Sequence, residues 1–199
     1  HQMFDAYKGT RSPMDDALRQ QVPLMKEMLT AMGVRIVEME GYEADDILGT
    51  IAGMGEREGM DVSVVSGDRD LLQLATDHVK IRIPKTKKTG TEIEDYLAAD
   101  VKARYLVTPK EFIDVKALMG DASDNIPVVP NIGEKTATRI IADDGSIEHA
   151  YEHASELKPP RAAKNLVEYW EQAKMSKVLA TINVEADCPY DLDEAKLGN

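Results

Sequence analysis

The chain has 199 residues, 43% of them hydrophobic and 30% charged, enough to bury a core without staples as one domain or two small ones. No run of about 18 apolar residues occurs, which excludes a membrane-spanning helix, and the single cysteine, Cys188, excludes an internal disulfide and fits a reducing cytoplasm. The net charge of −12 disfavours a uniformly phosphate-binding surface, so any nucleic-acid contact must rest on local basic stretches such as Lys8 and Arg11 in "YKGTR" or Lys80, Arg82, Lys85, Lys87 and Lys88 in "KIRIPKTKK".

In chain order, residues 15–32 carry Leu18, Val22, Met25, Leu29 and Met32 at steps of three and four. This spacing predicts an amphipathic helix opened by Asp15 and Asp16, kinked or divided at Pro23 and stopped at Gly33. A short strand is expected over 34–40, and a helix over 43–57 that stops near Gly59. "DVSVVSG" (61–67) suits a buried parallel strand, "DRDLLQLA" a short helix and "VKIRIP" a further strand. Strand alternating with helix predicts an α/β sheet.

The pattern changes after residue 107. "TPKEFIDVKALMG" offers a Thr cap, Pro109 at the first helical position and Glu111 as the capping-box partner. From there to residue 182 only helical patterns recur, with 159–182 read as one long or two short helices. The polar residues 185–199 are expected to be irregular.

Three acidic groups stand at the ends of these elements. Glu43, Asp45 and Asp46 crowd a helix start, Asp68 and Asp70 follow a strand, and Asp121 and Asp124 follow a helix. Each has an ordinary reading: acids favour a helix N-terminus, and Asp is a common turn residue. If they converge, seven carboxylates share one volume. Like charges then disfavour ionisation, and divalent ions relieve it. Hard oxygen donors without clustered His or Cys select Mg²⁺ or Mn²⁺, and a pair of such ions is a device for displacement at phosphorus. In "VPNIGEKTATRII", Asn131 and Gly133 tolerate positive φ, and the following helix N-terminus can hold a phosphate, with Lys135 and Thr136 adding contacts. A plain helix–turn–helix packing element fits the same residues.

Taken in order, "YKGTRSPM", "GYEADDILGTIA", "VVSGDRDLLQL", "ALMGDASDNIP" and "NIGEKTATRII" resemble the flap endonuclease superfamily, and within it the 5′-3′ exonuclease domains of bacterial DNA polymerases I. The likeness runs from near residue 3 to at least residue 182. It implies a mixed, mainly parallel sheet with flanking helices over 1–106, including part of a helical arch at 1–32. It also implies an all-helical, helix–hairpin–helix DNA-binding subdomain over 107–199.

The resemblance further implies that Glu43, Asp45, Asp46, Asp68, Asp70, Asp121 and Asp124 hold two Mg²⁺ or Mn²⁺ ions. Lys8 would approach the scissile phosphate, Arg11 contact phosphate from the arch, and Tyr7 stack on a base. Asn131, Gly133, Lys135 and Thr136 would grip the duplex backbone, with K⁺ able to sit at the hairpin. Asn131 departs from the usual glycine there, and Val129 from another.

The implied substrate is branched or nicked double-stranded DNA with a 5′ flap, cut during primer removal and repair. The expected setting is a monomer in the bacterial cytoplasm, at the nucleoid, with a polymerase domain following in the same chain. Family members carry roughly 70 residues before this point, supplying strands whose absence exposes sheet edges, and two further aspartates. The chain also opens on His1. A trimmed start, and weak or no cleavage by this stretch alone, are therefore expected. Two rivals remain open: a non-catalytic duplex-DNA-binding module, and a small acidic metal-dependent phosphatase.

Overall fold

The computed structural model describes residues 6–9, 12–88 and 90–197. Helix α1 spans Asp16–Ala31, with the Asp15 side chain accepting from the Ala17 N–H at 2.8 Å. Its apolar stripe exists as expected, but Leu18, Met25 and Met32 on it are exposed, and no α1 residue is buried. Residues 34–40 do not form the expected strand. They run beside α1, tied by an ion pair from Lys26 to Glu38, and lack a neighbouring strand to complete a ladder.

Helix α2 (Ala44–Arg57) and strand β1 (Val62–Val65) come next, then a 3-10 turn (Arg69–Leu74). Strands β2 (Val79–Lys87) and β3 (Gly90–Tyr96) complete a mixed sheet in the order β1-β2-β3. β1 pairs parallel to β2 with Val62 opposite Val79, and β3 pairs antiparallel with Ile81 opposite Tyr96. β1 is less buried than expected: it lies at the sheet edge, so Val64 enters the core while Val65 is 60% exposed.

β3 was not anticipated, and it changes the reading of the basic stretch. Arg82 pairs with Asp95 at 2.9 Å, Lys85 with Glu94 at 2.5 Å, and Lys87 with Glu92. The register sets Arg82 directly opposite Asp95 and puts Lys85 and Lys87 diagonal to Glu94 and Glu92, so much of the local positive charge is cancelled within the hairpin.

Helix α3 (Ala98–Tyr105) leads into the helical half: α4 (Pro109–Met119), α5 (Glu134–Asp144), α6 (Ile147–Glu152), α7 (Pro160–Glu168) and α8 (Trp170–Ala180). The Thr108–Glu111 capping box opens α4 as expected, and the 159–182 stretch is two helices, broken at Tyr169. One hydrophobic cluster runs through both halves, joining Val64, Leu71, Leu72 and Ile81 to Val115, Leu118, Ile132, Ile141 and Leu166. Each fully buried aliphatic side chain contributes about 2 kcal/mol, so the helices pack on the sheet half as on a common core. The irregular tail after α8 crosses back over α2. Thr50 Oγ1 accepts from the Ala186 N–H at 3.0 Å, and a Cβ on Gly49 would lie 3.0 Å from Val184.

Candidate active site

Three turns deliver the acids to one place. Glu43 is the N-cap of α2, and its backbone N–H donates to Asp46 Oδ2 at 3.2 Å. The other Asp46 oxygen accepts from the Asn183 N–H at 2.8 Å. Asp68 caps the 3-10 turn by accepting from the Asp70 N–H at 2.9 Å. The third turn depends on Gly120, whose φ of 65° and ψ of −174° is a region only glycine enters readily. A Cβ there would lie 2.7 Å from the Ile126 carbonyl oxygen. This close approach lets Asp121 and Ile126 exchange both backbone hydrogen bonds, at 3.1 and 2.8 Å, and closes the Asp121–Asp124 loop.

Two lysines bind these turns together. The Lys8 ammonium pairs with Glu43 and lies 3.8 Å from Asp124, while its backbone N–H donates to the Asp124 carbonyl at 2.8 Å. Lys116, from the last turn of α4, lies 2.8 Å from Asp70 and 2.6 Å from Asp121. Sequence reasoning missed Lys116, although it stands four and five residues before Gly120 and Asp121, one helical turn from the acids it serves. It also missed Asn183, a backbone partner that no side-chain motif signals.

Glu43, Asp45, Asp46, Asp70 and Asp124 line a cleft of about 730 Å³, walled on the other side by Leu179, Ala180 and Ile182. Asp68 belongs to the same group by charge: burial, then the charges of Asp68, Glu43 and Asp70, push Asp45 up to about 6 against the pull of Lys8. Burial also raises Asp70 despite Lys116, with Asp68 and Asp121 adding to the rise. Burial works the same way on Asp121, but hydrogen bonds from Lys116 and Ser123 outweigh it and hold this acid at about 2. Burial opposes the Lys116 and Lys8 ammoniums too; their carboxylate partners prevail and hold both above the ordinary lysine value.

Among the described residues, no three of these carboxylates bring oxygens within 4.8 Å of one another. The two ammonium groups stand between the acids and supply the neighbouring positive charge. The donors are all hard oxygens, and Asp45 is still short of positive charge, which suits them to divalent ions of the Mg²⁺ class.

Tyr7 is buried against Ile126 and Ala180, so its ring is covered here, with its hydroxyl toward Glu43 at 3.5 Å. Burial and the Glu43 charge raise that hydroxyl to about 12. Arg11 lies outside the described residues. The hairpin residues stand at the start of α5 and do not line the cleft. Asn131 adopts φ 62°, while Gly133 is extended at φ −90° and caps α5 without a side chain. Asn131, Gly133 and Lys135 are exposed. The loop is held from behind: Asn165, Gln172 and Ser176 donate to the carbonyls of Pro130, Val128 and Pro127 at 2.5, 2.6 and 2.8 Å.

Family models match the whole chain: a 5′-3′ exonuclease N-terminal resolvase-like domain over residues 1–106, and a 5′-3′ exonuclease C-terminal SAM fold over residues 107–199. The chain belongs to the 5′-3′ exonuclease family. Its relatives include DNA polymerase I of Bacillus caldotenax, 44% identical over 98% of this chain and 22% of that protein. DNA polymerase I of Bacillus subtilis is 45% identical over 94% and 21%. This 5′-3′ exonuclease chain thus spans about a fifth of the length of the curated relatives it matches. Among solved structures, T5 5′-exonuclease with divalent metal ions (zinc) bound superposes with a TM-score of 0.74 at 25% identity, covering 92% of this chain and 69% of that one. The catalytic core of Rad2 shares the exonuclease fold at a TM-score of 0.57 and 16% identity, over 92% and 59% of the two chains.

Proposed function

We propose that this chain is the nuclease portion of a structure-specific 5′-3′ exonuclease and flap endonuclease, hydrolysing DNA phosphodiesters in primer removal and repair. Its substrate would be branched or nicked duplex DNA with a 5′ flap, met at the bacterial nucleoid, and a polymerase domain would share the full-length protein. The observation that carries this reading is the convergence of acids from three distant turns on one cleft, joined by Lys8 and Lys116.

Two divalent ions, Mg²⁺ or Mn²⁺, would be held by Glu43, Asp45, Asp68, Asp70, Asp121 and Asp124. When bound, such ions supply charge stabilisation at phosphate oxygens and a nucleophilic water at neutral pH. Asp46 fits a positioning role, since both of its oxygens already accept backbone N–H groups. Lys8 would leave Glu43 and donate to a non-bridging oxygen of the scissile phosphate, where charge accumulates. Lys116 would keep Asp70 and Asp121 aimed into the cleft. The sheet half, 1–106, would carry most of this chemistry and the helical half, 107–199, the grip on DNA. There Asn131, Gly133, Lys135 and Thr136 present the open N-terminus of α5 to a backbone phosphate, with K⁺ as an optional bridge. Neutralising one phosphate at each contact gives affinity without base preference.

The test is cleavage of a 5′-flap duplex by the full-length protein carrying this sequence, with Mg²⁺ or Mn²⁺. Asp70→Asn and Asp121→Asn should each cut the rate by at least about 100-fold while duplex binding survives. Cleavage unchanged by these substitutions would refute the reading. Duplex binding without metal-dependent cleavage would favour the non-catalytic module instead.

A further inference from the structure

We infer that the corner between α5 and α6 carries a transition-metal site formed by Asp144, His149 and His153. One ligand atom from each residue lies within 4.8 Å of the other two, well away in sequence from the acids of the cleft. The His149 Nδ1 to Asp144 Oδ1 distance is 3.5 Å, long for a hydrogen bond. It is close to the roughly 3.3 Å that separates neighbouring donors around a tetrahedral ion with bonds of about 2.0–2.1 Å.

The ring chemistry favours ligation. His153 Nδ1 lies 3.0 Å from the His149 carbonyl oxygen. A carbonyl only accepts, so Nδ1 carries a proton, and Nε2 is the ring nitrogen left to face a metal. A backbone partner on one ring nitrogen is the usual way a ligating histidine has its tautomer fixed. The two rings lie close together, centroids 4.2 Å apart and tilted by 46°. Two imidazoles and one carboxylate suit Zn²⁺ and its neighbours rather than Mg²⁺.

The frame is held independently of any ion. Gly145, at φ 79°, ends α5, and Ser146 caps α6 by accepting from the His149 N–H at 3.2 Å. The Ile147 N–H donates to the buried Asp114 at 3.0 Å, and Lys177 reaches both Asp114 and Glu148 at 2.7 Å. An ion at the corner therefore closes a ready-made triangle and staples α6 to α5, the helix that opens at the hairpin. Water would complete its coordination.

The test is Zn²⁺ titration of the 199-residue chain in excess Mg²⁺, with bound zinc counted by mass spectrometry under non-denaturing conditions. The chain should bind one more Zn²⁺ than His149→Ala or His153→Ala, and Asp121→Asn should keep the corner ion. Diffraction at the zinc absorption edge from the unsubstituted chain gives an answer that does not depend on a variant folding. A peak bounded by Asp144, His149 and His153 is expected. Equal zinc counts in folded His149→Ala and unsubstituted protein, or zinc peaks confined to the acidic cleft, would overturn the inference.

Discussion

Asp46 Oδ1 accepts a hydrogen bond from the backbone N–H of Asn183, 137 residues further along the chain, at 2.8 Å. The same carboxylate accepts from the Glu43 N–H through its other oxygen. One acid thus fixes both the start of α2 and the tail that closes the cleft.

Asp46→Ala should accordingly destabilise the fold by about 1–3 kcal/mol, the cost of a lost cap and an orphaned N–H. Asp46→Asn keeps one acceptor oxygen and should cost less. Urea unfolding monitored by circular dichroism measures both.

Asp45 links the site to pH. Its folded pKa of about 6 stands above its ordinary 3.8, so folding takes up protons between these values and the charge is a cost that becomes complete above pH 6. Asp45→Asn should therefore stabilise the divalent-free protein above pH 6 by about 1 kcal/mol, allowing for solvent screening of a half-exposed group, and should have little effect near pH 4. Asp121 has the opposite sign. Held at about 2 despite burial by Lys116 and Ser123, it contributes stability above pH 3.8 that is lost as the pH falls toward 2. Melting temperatures across pH 2–8 in EDTA test both directions.

Gly120→Ala should be costly, about 2–4 kcal/mol, because it combines a glycine-only backbone region with a Cβ pressed against the Ile126 carbonyl. The loop that carries Asp121 and Asp124 would shift with it. Unfolding curves of the variant beside the unsubstituted chain give the number.

The hairpin and the basic strand make opposite predictions for DNA. Lys135 is exposed at the start of α5, so Lys135→Ala should weaken duplex binding at every sequence and reduce the salt slope by about 1. Lys85 and Lys87 are engaged by Glu94 and Glu92, so replacing either with alanine should leave the slope unchanged. Fluorescence anisotropy over a range of KCl concentrations separates the two.

These contrasts mark what the sequence could carry. Helix starts with local signals, such as Thr108 with Glu111 or Asp15 before α1, were legible because a cap and its partner lie within four residues. The acid groups were legible as groups, since each occupies one turn. Their assembly was expected through the family resemblance, but the contacts that build it run through Lys116 and Asn183, whose roles depend on tertiary neighbours. β3 escaped notice because half of "TEIEDY" is acidic, and its strand character comes from the lysines and arginine it meets on β2. The stretch 34–40 failed in the other direction: its residues favour a strand, but a strand needs a partner. The apolar face of α1 was read correctly as a pattern, yet a period of three and four says nothing of what covers it.

The central claim is that the three acidic turns form one divalent-cation centre. Crystals of the chain soaked in Mn²⁺ and measured at the manganese absorption edge test it most directly. Anomalous peaks are expected inside the cleft, each within about 2.5 Å of carboxylate oxygens drawn from at least two of the three turns. Peaks found only at other surface carboxylates, with none among Glu43, Asp45, Asp68, Asp70, Asp121 and Asp124, would contradict it.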